Sequence, residues 1–292
     1  MNQMIKKFLF PVLLGLGLAA NSNAQDKPLE VKVFSADESG FFVNSVMISG
    51  DKEAVLLDTQ FTRANALRVA AMVLDSGKHL NTVYITAADP DYYFGAEVIH
   101  QIFPDAKILA SAGTVEHIKS RLESKLKTWG PKLGGNGPKT PFIPEVLNAS
   151  SITLEGQKLE LVGYDNQKSV VQYVWIPSIK TIAGGVGSFA GVHVWTADTA
   201  SKEQRAAWVK SFDAMLALQP AMVVPGHSRA GEKLDVSPLR YTRDYLLKFE
   251  MEFDRSANSA ALIDAMKKAY PNAGLGIALE LGAKVTKGEM KW

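Results

Sequence analysis

Val83-Tyr84-Ile85-Thr86-Ala87-Ala88-Asp89-Pro90-Asp91-Tyr92-Tyr93-Phe94-Gly95-Ala96-Glu97 is the stretch on which the reading of this chain turns. Thr82 to Thr86 is a short apolar run of the kind buried in a sheet, and it predicts a strand. A polar loop follows, because Asp before Pro starts turns and its carboxylate can bond backbone amides. Helical spacing then predicts a short helix from Gly95 to Phe103. A strand, a loop carrying two carboxylates and a helix make a place where chemistry is often held.

Outward from this stretch the text alternates between strand and helix. Leu29 to Val33, Val43 to Ile48 and Glu53 to Asp58 read as consecutive antiparallel strands, the last after a Gly50-Asp51 turn. After Thr62, Leu67, Ala70, Ala71 and Leu74 recur at helical spacing, with Gly77 placed as a C-terminal cap. Downstream come a strand at Lys107 to Ala110 and a helix at Val115 to Trp129, with Val115, Ile118 and Leu122 on one side. Gly130 to Pro144 reads as an irregular surface loop. A second strand block covers Ser151 to Val162, folded at Glu155-Gly156, then Val170 to Ile176 and Lys180 to Ala183. Ser201 and Gln204 form a capping box for a helix bearing Trp208, Phe212, Met215 and Leu216. The strand Ala221 to Val224 ends in Pro225-Gly226-His227, and from Ser237 onward the chain is helical, with Ser259 placed as a cap. Two similar halves of this kind predict two sheets face to face with helices outside. A dinucleotide-type sheet is the competing architecture, but no Gly-x-Gly-x-x-Gly loop follows a strand.

Three separated segments carry a resemblance. Ala54-Val55-Leu56-Leu57-Asp58-Thr59, the stretch Val83 to Glu97, and Val223-Val224-Pro225-Gly226-His227 are similar, in order and spacing, to segments of the metallo-β-lactamase superfamily. The resemblance covers about residues 29 to 230. It implies an α/β fold, a four-layer αββα sandwich of two mixed sheets with a C-terminal helical extension. With a signal peptide at 1–24, read from the N-terminal residues themselves, the expected organisation is one domain at 25–236 and an extension at 237–292 packed on the same domain.

The same resemblance exposes what has changed. The family loop reads His-x-His-x-Asp-His and supplies imidazoles and a carboxylate to two metal ions; zinc takes such donors at about 2.0–2.2 Å. Here Ala87 and Asp89 stand at the first two His positions, Asp91 keeps the carboxylate, and Tyr92 replaces the third His. A further His position aligns with Tyr164, and the bridging carboxylate with Gly185; His227 keeps its identity. Alanine coordinates nothing, and a phenol with an ordinary pKa near about 10 stays protonated at neutral pH. The expectation is therefore no tightly bound cofactor. The alternative is one divalent cation, Zn or Mn, held weakly by Asp89, Asp91 and His227.

Each candidate also has a plainer reading. Asp89-Pro90-Asp91 reads equally as a turn, and Tyr92 and Tyr93 as packing aromatics whose hydroxyls need partners. A Tyr92–His227 hydrogen bond would fill the space of a departed metal. His193, between Val192 and Val194 and near Trp195, reads either as a half-buried histidine or as part of a pocket with Tyr93, Tyr164, Gly185 and Trp195. His79, His100 and His117 are expected at the surface.

Composition narrows the function classes. Lys6 and Lys7, the apolar run Phe8 to Ala20 and Ala24 describe a secretory signal peptide, so the mature protein is expected in the periplasm or outside the cell. Stable membrane insertion after cleavage is not expected. The chain has 32 basic and 30 acidic residues, and without Lys6 and Lys7 the two balance, which argues against nucleic acid as a partner. There is no cysteine, which excludes thiolate ligands and nucleophiles. No Gly-x-Ser-x-Gly elbow is present. Three readings follow: a metal-poor relative binding a small molecule, a hydrolase using one weak cation or Asp, Tyr and His as acid–base groups, and a purely structural exported protein. The hydrolase would act on esters, lactones or phosphoesters, with Asp89, Asp91, Tyr92 and His227 as its catalytic candidates.

Overall fold

Strand alternation sorts the apolar residues onto two faces, and the fold follows from where those faces go. The computed structural model describes residues 27–164 and 171–292. The first sheet begins with β1 (Glu30–Ser35), β2 (Asn44–Ser49) and β3 (Glu53–Leu57), joined antiparallel. β4 (His79–Ile85), β5 (Lys107–Ala110) and β6 (Glu145–Val146) then add in parallel, in the order β1-β2-β3-β4-β5-β6. Parallel neighbours need crossovers. These are supplied by α1 (Arg63–Asp75), by α2 (Pro90–Tyr93) with α3 (Ala96–Ile102), and by α4 (Ala112–Leu133).

The second sheet is also mixed. It contains β7 (Ser151–Leu154), β8 (Gln157–Val162), β9 (Tyr173–Ile176) and β10 (Thr181–Ala183), paired antiparallel in that order. A two-residue strand, β11 (Phe189–Ala190), follows, then α5 (Lys202–Ala217) and β12 (Met222–Val223), which joins the second sheet parallel to β10. β13 (His227–Ser228) pairs in parallel with β11, setting His227 opposite Phe189. The chain ends in α6 (Ser237–Arg255), α7 (Ser259–Ala269) and α8 (Gly276–Thr286).

Between the sheets, Val46, Ile48, Val55, Leu57 and Tyr84 meet Ile152, Leu154, Leu159, Leu161, Val174 and Ile176. Their strand neighbours face outward: Met47, Leu56, Val83 and Ile85 pack against the helices of the first half. Tyr173, Trp175 and Ile182 pack with Trp208, Phe212, Leu246, Leu262 and Leu279 of α5 to α8. The four-layer αββα architecture is thus observed. Each fully buried aliphatic side chain contributes roughly 1.5–3 kcal/mol, so these layers can hold the fold without disulfides.

Several expectations are corrected in detail. α1 buries Ala66, Val69, Ala70 and Val73, while Leu67 and Leu74 are exposed. The alanines made two stripes look alike, and the smaller one packs against the sheet. α4 starts earlier than expected, capped by Ser111, and runs through Gly130 and Pro131 to Leu133, so part of the expected loop is helix. Buried Trp129, packed on Phe41 and Phe61, anchors that last stretch. α7 is capped by Asn258, whose side chain accepts from Ala261 N; Ser259 is instead bound to Glu289. No helix among the described residues is long and apolar enough to cross a membrane. The signal-peptide stretch 1–24 lies outside the described residues.

Candidate functional site

The site is assembled where β3, β4 and β10 end and β13 begins. Asp58, fully buried and in the left-handed region at φ 62°, accepts from Thr86 N at 2.7 Å and Thr86 Oγ1 at 2.6 Å. Thr86 Oγ1 in turn accepts from Gly185 N at 2.8 Å. This knot ties both sheets together below the loop, and burial pushes the Asp58 carboxyl up to about 8.

The loop then turns into α2, with Asp89 extended before it and Pro90 at its first position, where a missing N–H is harmless. Thr59 N donates to Tyr92 O at 2.7 Å, and Gly95 N to Gln60 O at 2.8 Å. A Cβ at Gly95 would stand 1.9 Å from Thr59 O, so glycine is required where the loop meets β3.

Tyr92, completely buried, places its hydroxyl 3.1 Å from His227 Nε2. The other ring nitrogen, Nδ1, lies 2.8 Å from Phe41 O. A carbonyl only accepts, so Nδ1 carries the proton and Nε2 accepts from Tyr92. Phe41 and Phe42 are both left-handed, each at φ 57°, which turns the Phe41 carbonyl toward the imidazole. The Phe189 ring stacks on His227 at 5.0 Å. Burial lowers His227 to about 4, so it is neutral at physiological pH, and burial raises Tyr92 well above its ordinary value. Gly226 lets Tyr92 approach, since a Cβ there would lie 2.5 Å from the hydroxyl.

The two carboxylates differ. Asp91 is buried, with His227 Nε2 3.6 Å away, and burial pushes it up to about 7. Asp89 is more open and lies 3.7 Å from Lys125; partial burial, then the charges of Asp198 and Asp91, push it up to about 6. A small cavity of about 50 Å³ opens beside them, walled by Phe41, Trp129, Trp195, Leu275 and Trp292, with Lys125 at its edge. A wider cavity of about 570 Å³ adjoins it, sharing Asp89, Val186 and Trp195 and adding His117, Arg121 and Tyr164.

The residues present do not fit the family's metal pair. His227 has both nitrogens committed, Ala87 offers no donor, and the Tyr92 hydroxyl occupies the imidazole's open side. Gly185 sits at φ 75°, and a Cβ there would be 1.9 Å from Gln172 O, so no carboxylate can stand at the bridging position. Among the described residues, no group of three or more His, Cys, Asp or Glu is arranged to hold an ion.

The structure thus brings together Asp89, Asp91, Tyr92, His227 and Trp195 around the small cavity. Tyr164 lies in the wider one, T-shaped on Tyr84 at 5.4 Å. Tyr93, Gly185 and His193 line neither. Tyr93 packs on Phe94, Gly185 is pinned by Thr86, and His193 bonds the Tyr245 hydroxyl at 3.0 Å under the helices of the second half. His79, His100 and His117 are exposed. Sequence reasoning missed Phe41, Lys125, Val186, Leu275 and Trp292, and took Trp129 only for the end of a helix. The lone available signal was the i, i+4 spacing of Lys125 and Trp129, and any helix surface offers that.

The geometry agrees with comparisons across known proteins. The sequence profile of the Metallo-beta-lactamase superfamily matches residues 39–227. No curated protein matches the chain. Among solved structures, a metallo-beta-lactamase family protein from Thermus thermophilus is similar at 12% identity and TM-score 0.58, over 89% of this chain and 91% of that one. A beta-lactamase domain protein from Burkholderia ambifaria is similar at 11% identity and TM-score 0.59, over 89% and 84%. A stereoselective inverting sec-alkylsulfatase from Pseudomonas sp. is similar at 14% identity and TM-score 0.54, over 87% of this chain and 48% of that one. At such identities the likeness speaks for fold alone; with the profile spanning most of the chain and the three segments in register, this chain belongs to the metallo-beta-lactamase superfamily.

Proposed function

We propose that this protein binds a small molecule in the cavity beside Asp91, without a stoichiometric metal ion. The observation that carries the proposal is the state of His227: its Nδ1 proton goes to Phe41 O and its Nε2 accepts from Tyr92. A ligand-grade imidazole has become a structural strut. What is left is an apolar, aromatic-walled hollow with a few polar groups, the usual composition of a small-molecule site.

A second reading has one observation in its favour. Asp91 is buried, 3.6 Å from His227, and is pushed up to about 7, where a general acid–base works well. On that reading the protein hydrolyses an ester, lactone or phosphoester without metal. We also place the protein outside the cytoplasm, on the strength of Lys6, Lys7, the apolar run and Ala24.

One preparation from the native host tests these points. Mass spectrometry is expected to find a chain starting near Gln25, and intact Met1 in a membrane fraction would refute export. Ester, lactone, β-lactam and phosphoester assays, with and without divalent ions, are expected to show no turnover. A thermal-shift screen is expected to find ligands whose effect vanishes in Trp195→Ala. Turnover abolished by Asp91→Asn would replace binding with acid–base hydrolysis.

A further inference from the structure

The small cavity holds a carboxyl that no other residue hydrogen-bonds among the described residues. Asp91 is 8% exposed and its carboxyl lines the cavity. Apart from its own backbone N–H, no donor among the described residues reaches it. His227 does not serve, because the nitrogen 3.6 Å away is the one without the proton. Asp89 stands on the same rim, and Asp198 is near enough to act on both carboxyls. Among the described residues the cation lining this cavity is Lys125, and it is drawn toward Asp89. Acidic groups therefore outnumber basic ones, and an anionic ligand would be repelled.

The walls carry the second half of the argument. The Lys125 ammonium stands 5.4 Å from the centre of the Trp292 ring, so an aromatic face here already receives a cation. Trp195 and Trp292 meet at 5.3 Å, and both indole N–H groups donate to Asp198, at 2.7 Å and 3.0 Å. Phe41 and Trp129 line the cavity as well, with centroids 5.2 Å apart. Aromatic faces around an unpaired carboxylate are the chemistry that selects organic cations over neutral molecules.

We propose that the cavity binds an organic cation with an ammonium headgroup, set against Asp91 and enclosed by Phe41, Trp129, Trp195 and Trp292; this rests on reading the cavity as a metal-free binding site. The space of about 50 Å³ is several times the roughly 10–15 Å³ one water needs, so it admits a headgroup of a few heavy atoms. The rest of the ligand extends into the wider cavity, with which Asp89, Val186 and Trp195 are shared. Lys125 acts as a resident competitor for the same charge.

The test is isothermal titration calorimetry of the purified protein with butylammonium, butan-1-ol and butanoate, which share a carbon body and differ in charge. Butylammonium is expected to bind at least tenfold more tightly than the other two. Asp91→Asn should weaken it at least tenfold, and Trp195→Ala should weaken it as well. Lys125→Met should tighten it, whereas a site built around Lys125 for anions would lose affinity. Circular dichroism checks that each variant is folded. Equal affinity for the alcohol, preference for butanoate, or no binding of butylammonium overturns the proposal. Equal binding of all three probes to metal-free protein would overturn the choice of cation alone, while stoichiometric metal at Asp91 would overturn the reading of the cavity beneath it.

Discussion

At the scale of single residues, the change of character is concentrated in Tyr92 and His227. The phenol donates to one imidazole nitrogen, the other donates its N–H to the Phe41 carbonyl, and neither bond leaves a lone pair for an ion. That pair was legible in the sequence, because Tyr92 in the loop and His227 in the last matching segment each stand at a family ligand position. Gly185 was legible as a lost carboxylate, yet its backbone was not: only the structure shows φ 75° and the Gln172 carbonyl crowding any Cβ. A sharp consequence follows. Restoring the family residue with Gly185→Asp should not recruit zinc but should destabilise the fold by about 3 kcal/mol or more, through left-handed strain and the clash with Gln172 O. Thermal unfolding with and without added zinc checks this, and a stable variant that gains a metal would refute it.

At the scale of elements, the knot of Asp58, Thr86 and Gly185 joins the ends of β3, β4 and β10. Burial holds the folded carboxyl of Asp58 at about 8, above its ordinary value of 3.8, so the folded state binds the proton more tightly. Its contribution is present in full below the unfolded pKa and is lost as pH rises through about 8. Asp91 and Asp89 act with the same sign but are spent by about 7 and about 6. His227 and His193, lowered by burial to about 4, act oppositely, adding stability as pH rises toward 6.5 and nothing further above it. Between pH 7 and 9 the Asp58 effect is therefore left uncompensated by these groups. Stability should fall there by at most about 1.4 kcal/mol per pH unit. Denaturant titrations of wild type and Asp58→Asn should show the larger fall in the former, because Asp91 finishes titrating just above about 7 in both; parallel curves would contradict the assignment. The elements themselves were largely legible, since strand alternation and the Ser201–Gln204 box are local signals. The buried face of α1 and the length of α4 were not, because alanine stripes are ambiguous and the hold of Trp129 on Phe41 and Phe61 is tertiary.

At the scale of the whole molecule, three apolar layers hold the two sheets and their helices, and the first of them takes in Ala87, Tyr92, Tyr93 and Phe94, so apolar packing holds the loop that carries Asp89 and Asp91. The cavity walls come from the loop after β1, from α4, from the segment after β11, from Leu275 just before α8, and from Trp292. Residues so far apart in sequence give no motif, which is why the binding hollow was hidden while the emptied metal loop was plain. Chelation should therefore leave the thermal midpoint unchanged, in contrast to domains whose metal is part of their folding energy. The most direct test of the account is elemental analysis of protein expressed in zinc-supplemented medium. The account predicts far less than one zinc or manganese ion per chain, unchanged in Asp91→Ala and His227→Ala. About one ion per chain, lost in those two variants, would contradict it.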